Sequence, residues 1–362
     1  MMNTNVGTHV GMLIGVLDVG SYTAHLLVVN TRDAALSAVH RSKIPLRLIE
    51  RIGPDGHLDQ GCTDKVAQAV AASLSEAKRL GVREMFAYAT AVIRDAPNRD
   101  EVIAQVQART GVRLAVLPGE TEATLTFLAA RRWAGRESGS MALLNLGGGC
   151  LEVAFGHGDL PDFTACLPLG AGRLTREHIA HCGPLSSQQV TALRRHVSEG
   201  LRETAEYVKA QAPQTVLATS RTFQQLARLC GAAPQREGPH VPRRLNPGDL
   251  KKAQQRLVSL PVAQRAKLPG ISKARARQAA VGAIVAHTTM KLAGINEVRI
   301  CPWALREGVL LQHPAIAATA RAVPSIGLLA LQPWAPTSPA LGPACPSMRR
   351  RRSAPSPGDI AA

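Results

Sequence analysis

The stretch Ile14-Gly15-Val16-Leu17-Asp18-Val19-Gly20-Ser21 reads as an apolar strand that ends on a carboxylate and turns at once through a glycine and a small residue. The pattern returns later as Leu143-Leu144-Asn145-Leu146-Gly147-Gly148-Gly149-Cys150, with Asn145 in place of the acid. A second apolar run follows each copy, His25–Val29 and Leu151–Phe155, so each reads as a β-hairpin with a glycine-containing turn. Two copies predict two related halves facing one another across a cleft.

Around the hairpins, strands and helices alternate. Thr63 or Asp64 is placed to cap a helix with Val66, Ala69, Val70, Leu74 and Ala77 on one face, ended by Gly81. Further strands are expected at Glu84–Ala89, Arg113–Leu117, Val216–Ala218 and Val298–Cys301. Helices are expected from Asn98 to Thr110, Glu120 to Trp133, near 187–209, from Thr222 to Cys230, and near 273–293. Another is capped by Asn246 with Pro247 at its first position. The pattern is that of an α/β protein with mixed sheets.

The 362 residues suit about two domains. With 45% hydrophobic and 19% charged residues, the chain has the makings of a full core. Its net charge of +17 calls for a polyanionic partner. Aromatic residues are only 3%, which argues against a protein that stacks nucleic-acid bases. No two of the seven cysteines form a C-x-x-C pair, which argues against a zinc ribbon. There is no signal-peptide pattern in residues 1–11 and no apolar run of the ~20 residues a membrane span needs. A cytoplasmic, membrane-free protein is expected. From Pro314 onward the chain turns to Ala, Pro and Ser, with a basic run at Arg349–Arg352, and reads as a disordered tail.

Glycine turns leave backbone N–H groups open to phosphate oxygens, because no Cβ blocks the approach. Two such turns face to face would clamp a phosphoryl group. Asp18 is suited to a hard cation such as Mg²⁺ (or Mn²⁺), and Glu152 supplies a second carboxylate. The plain alternative is an ordinary hairpin whose carboxylate bonds its own turn. The second copy weighs against it.

The stretches GVLDVGSYTAHLLVV, ATAVIRDAPNRDEVIAQVQARTGVRLAVLPGETEATLTFLAARR, LLNLGGGCLEVAFG, LPLGAGRLTREH, ATSRTFQQLARLCGA and ICPWALREGVLL follow in order over about residues 14 to 312. In this order the chain resembles the exopolyphosphatase and guanosine-pentaphosphate phosphatase family, within the wider superfamily of acetate and sugar kinases, heat-shock ATPases and actin. The resemblance implies two ribonuclease-H-like (actin-like ATPase) domains, 12–130 and 131–313, around a central cleft, with the tail at 314–362. It also implies a divalent metal and hydrolytic release of terminal phosphate from inorganic polyphosphate or guanosine pentaphosphate, with no specific nucleic acid. A homodimer is compatible with it.

Residue by residue, Asp18, Gly20 and Ser21 match the first phosphate motif. Gly147, Gly148, Gly149 and Glu152 match the second. Arg94 matches a phosphate-holding arginine, for which a surface pair with Asp95 or Glu101 is the plain alternative. Gly170 and Arg173 are expected to line the cleft. Arg221 replaces a usual lysine and Tyr22 a usual asparagine. Asn145 stands for an aspartate near the metal and Cys150 for a serine. Thr121 stands where the general-base glutamate is expected, and the flanking Glu120 and Glu122 are each turned about 100° from it on a helix. These departures support a second reading, a phosphate-binding regulatory protein with weak or lost hydrolysis. A superfamily kinase is a third. If Thr121 does occupy the base position, Thr121→Glu is expected to raise the rate of phosphate release.

Overall fold

The computed structural model describes residues 11–53, 55–238, 241–319, 324, 326 and 333–335. The first hairpin forms as read: β1 (Leu13–Val19) and β2 (Thr23–Asn30) pair antiparallel. β3 (Ala38–Pro45) adds antiparallel to β2 as an edge strand. Its His40, Arg41 and Lys43 break the apolar alternation that marks a strand. α1 (Gln60–Arg79) then crosses to β4 (Glu84–Ala89), parallel to β1. The buried stripe of α1 is the expected one, but its cap is Asp59, whose carboxylate accepts from the Cys62 N–H at 2.6 Å. α2 (Ala91–Arg94) and α3 (Arg99–Thr110) lead to β5 (Ala115–Val116), parallel to β4. α4 (Gly119–Ala134) leaves this five-stranded sheet.

The second half starts again with antiparallel β6 (Met141–Leu146), β7 (Leu151–Gly156) and β8 (Phe163–Leu167). α5 (Ala171–His178) and α6 (Ser187–Gln211) precede β9 (Thr215–Thr219), parallel to β6. Next come α7 (Ser220–Leu229), β10 (Arg244–Leu245), α8 (Pro247–Ser259), α9 (Val262–Arg265) and α10 (Ala276–Leu292). β11 (Val298–Ile300) lies parallel to β9. The first sheet runs β3-β2-β1-β4-β5, and the second β10-β11-β9-β6-β7-β8. Read from its other edge, β8-β7-β6-β9-β11 repeats the first sheet strand for strand, in order and direction. The sequence repeat is therefore a repeat of topology, with β10 as an addition.

Each sheet is packed by helices. α1 and α3 cover one face of the first sheet. α5, α6, α8 and α10 enclose the second. The chain then returns: α11 (Leu305–Leu311) and α12 (Pro314–Thr319) pack with Leu125 and Leu128 of α4 on the other face of the first sheet. Residues up to 313, expected in the second half, thus end in the core of the first. The expected boundary at 130/131 falls inside α4. Within the tail expected from Pro314, the described residues include the helix α12 and Trp334, which bridges to Met85. Arg349–Arg352 lie outside the described residues.

α4 and α11 follow the last shared strand of their respective halves and cross each other. A Cβ on Gly308 would lie 2.2 Å from the Leu125 carbonyl oxygen. No side chain fits there without moving backbone. Gly308→Val is expected to lower unfolding free energy by about 1–3 kcal/mol, measured by urea denaturation.

Candidate active site

Both hairpin turns close with the same bond. The Gly20 N–H donates to the Thr23 carbonyl at 3.0 Å, and the Gly147 N–H to the Cys150 carbonyl at 2.9 Å. The turns meet. A Cβ on Gly148 would lie 3.0 Å from the Ser21 Cβ and 3.2 Å from its Oγ, and one on Gly149 would lie 2.6 Å from the Ala91 Cβ. The amides of Gly20 and Gly147 are engaged within their turns, so the open donors must be those further along.

The first residues of α5 and its cap identify these donors. The N–H groups of Ala171, Arg173 and Gly170 donate to the carbonyls of Gly147, Gly148 and Gly149 at 3.1, 2.9 and 3.3 Å. Across a trans peptide the next N–H points opposite to the carbonyl. The N–H groups of Gly148, Gly149 and Cys150 therefore face away from α5, toward a cavity of about 430 Å³ that these residues line. The first turn is braced similarly: Ile49 donates to the Ser21 carbonyl, and Leu46 and Arg47 to that of Tyr22.

Beneath the turns lie buried acids. Glu122 and Glu152 both line the cavity. Burial, and then each other's charge for Glu122, push both carboxyls up, with Glu152 reaching about 7. Arg94 Nη1 donates to Glu122 at 2.6 Å and Asn145 Nδ2 to Glu152 at 2.9 Å. An aspartate at 145 would put a third carboxylate beside the pair, so Asn145 reduces the repulsion there. Burial also raises Asp18, against the pull of Arg306, whose Nη1 is 3.3 Å from Oδ2.

The lining also includes the cations Lys43, Arg47, Arg221, Arg275 and Arg306. Arg275 covers the Tyr22 ring at 4.7 Å. His25 also lines the cavity, and burial followed by Arg306, Lys43 and Arg41 lowers its imidazole to about 2. None of Lys43, Arg47, Arg275, Arg306 or His25 stood out in the sequence as a site residue. The Gly-rich motifs, Asp18, Glu152 and Arg221 marked this region in the sequence.

Several expected residues stand elsewhere. Glu122, rather than Thr121, reaches the cavity, because the buried face of α4 runs through Glu122, Ala123, Leu125 and Thr126. Glu120 is exposed on the first turn, and Thr121 does not line the cavity. Arg94 lies behind the site, on Glu122, on Asp95 at 3.0 Å and on the Cys150 sulfur at 3.3 Å, and does not pair with Glu101. Arg173 is held by Asp95 and by the Gly149 carbonyl at 3.1 Å, not by the cleft. Gly170 supports the second turn from below, where a Cβ would lie 2.2 Å from the Gly149 carbonyl carbon. The Cys150 thiol is held protonated by its hydrogen bond with Cys166 and by burial, which makes it a poor nucleophile. Arg306 pairs with Asp18, while Glu307 accepts from the Ala304 N–H at 2.8 Å.

Residues 27–314 match the model of the Ppx/GppA phosphatase family. An uncharacterised Streptomyces coelicolor protein is 53% identical over 303 residues, 83% of this chain and 90% of its own. Exopolyphosphatase 1 of Mycobacterium tuberculosis is 42% identical over 303 residues, 83% of this chain and 88% of its own. In fold, the crystal structure of an exopolyphosphatase from Cytophaga hutchinsonii superposes with a TM-score of 0.76 at 20% identity, covering 83% of this chain and 97% of that one.

Carboxyls raised by folding bind protons more tightly in the folded state. Their stabilising contribution is present at low pH and is lost as pH rises through about 7. Glu152→Gln keeps an acceptor for Asn145 and removes the buried charge. It is expected to raise unfolding free energy at pH 8 by roughly 1–3 kcal/mol, and the gain should shrink at pH 5 in the same denaturation experiment.

Proposed function

Because the chain belongs to the Ppx/GppA phosphatase family, we propose that it is a phosphohydrolase releasing the terminal orthophosphate of inorganic polyphosphate. The observation that carries this is the pair of glycine turns in contact above a buried carboxyl pair, with carbonyls drawn back and amides turned to the cavity. Its similarity to the Mycobacterium exopolyphosphatase supports a polyphosphate substrate.

The terminal phosphoryl group sits at the turns, with the N–H groups of Gly148, Gly149 and Cys150 on its oxygens. Glu122 takes the proton of a water that attacks phosphorus. The new bond joins water oxygen to phosphorus, and the bridging P–O bond breaks. Orthophosphate leaves, and the shortened chain keeps the bridging oxygen. Arg94 acts through Glu122 as a positioning residue, fixing the carboxylate that receives the proton. Arg306 and its cationic neighbours offset the charge of the remaining chain.

The donors fit a divalent cation. Asp18 and Glu152 are hard oxygen donors that burial holds above their ordinary range, and a cation would relieve both. Among the described residues no three acidic, His or Cys side chains converge as a metal cage. That suits Mg²⁺, which keeps waters and shares substrate phosphate. Asp18, Glu152 and the Asn145 amide oxygen would hold it, and it would supply charge neutralisation at the phosphoryl oxygens. A cytoplasmic location accords with the six free cysteines among the described residues and with the lack there of any helix long and apolar enough to span a membrane.

Purified protein with Mg²⁺ and long-chain polyphosphate is expected to release orthophosphate. Glu122→Gln should lower kcat by about 10²–10⁴-fold. Thr121→Glu should change it little, since position 121 does not reach the cavity. Retention of polyphosphate on a filter with no release would favour the binding-protein reading instead.

A further inference from the structure

Three side chains stand in a row across the first sheet. Asp18 on β1 is the cross-strand partner of His25 on β2. His25 is in turn the partner of Lys43 on β3. Directly opposed residues share a face of the sheet, and all three line the cavity. His25 is only 8% exposed, yet its Nε2 has no hydrogen-bond partner among the described residues. A buried polar atom without a partner is costly. Arg221, Arg306, Arg41 and Arg275 act on Lys43 with like charge, and of these Arg306 is paired with Asp18. The positive charge exceeds what that one acid offsets, and such a cluster attracts an anion.

We propose that His25 and Lys43 hold the phosphates behind the terminal one, with the chain laid across β1, β2 and β3 from Asp18 outward. This rests on the reading of the cavity as a polyphosphate site. Neighbouring strands are about 4.8 Å apart, so Lys43 stands roughly 10 Å from Asp18. A single phosphoryl group at the glycine turns cannot reach that far, and only a substrate several phosphates long can. His25 donates from Nε2 to a phosphate oxygen along the way. The Lys43 ammonium, a point charge on a flexible stem, meets the chain at the sheet edge. The row therefore selects for chain length.

The test compares wild type, Lys43→Gln, Lys43→Arg, His25→Leu and His25→Gln on tripolyphosphate and on long-chain polyphosphate, with melting temperature as the check on folding. Lys43→Gln is expected to raise KM for long chains about tenfold, with kcat within about twofold and a smaller rise for tripolyphosphate. Lys43→Arg should recover most of the loss. His25→Leu should raise KM for both substrates, and His25→Gln, which keeps an N–H donor, should recover part. If turnover is slow, filter-binding Kd values should follow the same order. Lys43→Gln with unchanged KM, with equal losses on both substrates, or with the loss in kcat overturns the inference while leaving the proposed hydrolysis standing. Wild-type protein that neither binds nor cleaves polyphosphate overturns both.

Discussion

Three backbone N–H groups at the start of α5 hold three consecutive carbonyls of the second glycine turn. The geometry above the buried acids depends on this grip. With the carbonyls fixed backward, the following amides have one direction left. The grip also sets the glycine requirement: Gly170 must let α5 approach from below, while Gly148 and Gly149 meet Ser21 and Ala91 on the other side. A methyl group on any of the three would push the turn out of line. The first turn reaches the same result with the backbone of residues 46–49 in the place of α5.

The hairpins, their repeat and most helices were legible because hydrophobic period and glycine position are local properties. What was lost depended on phase or register. Thr121 was read at the base position because sequence does not fix the phase of a helix. The observed buried face of α4 brings Glu122 inward instead. The Asp18–His25–Lys43 row is set by strand register across three strands, and one of its members sits on an edge strand too charged to read as one. Arg306 finds its partner, Asp18, at the other end of the chain, which no local pattern signals. Arg94 and Arg173 brace Glu122, Asp95 and the turn, contacts that depend on the fold rather than on sequence neighbours.

The cavity carries charge of both signs. Burial disfavours the ionised forms of Asp18, Glu122 and Glu152. Lys43, Arg47, Arg221, Arg275 and Arg306 line the same space, and Arg306 pairs with Asp18. Asn145 eases the crowding of acids, since it donates to Glu152 without adding another negative charge.

The return of α11 and α12 to the first sheet has a bearing on biogenesis. The core that contains Ile14, Val16 and Leu27 also contains Leu310, Leu311 and Ile316. The ribosome therefore delivers this face of the first sheet, and α4 with its Leu125 and Leu128, well before α11 and α12 complete the cover. Over that interval part of the apolar face is open to contact with other polypeptides.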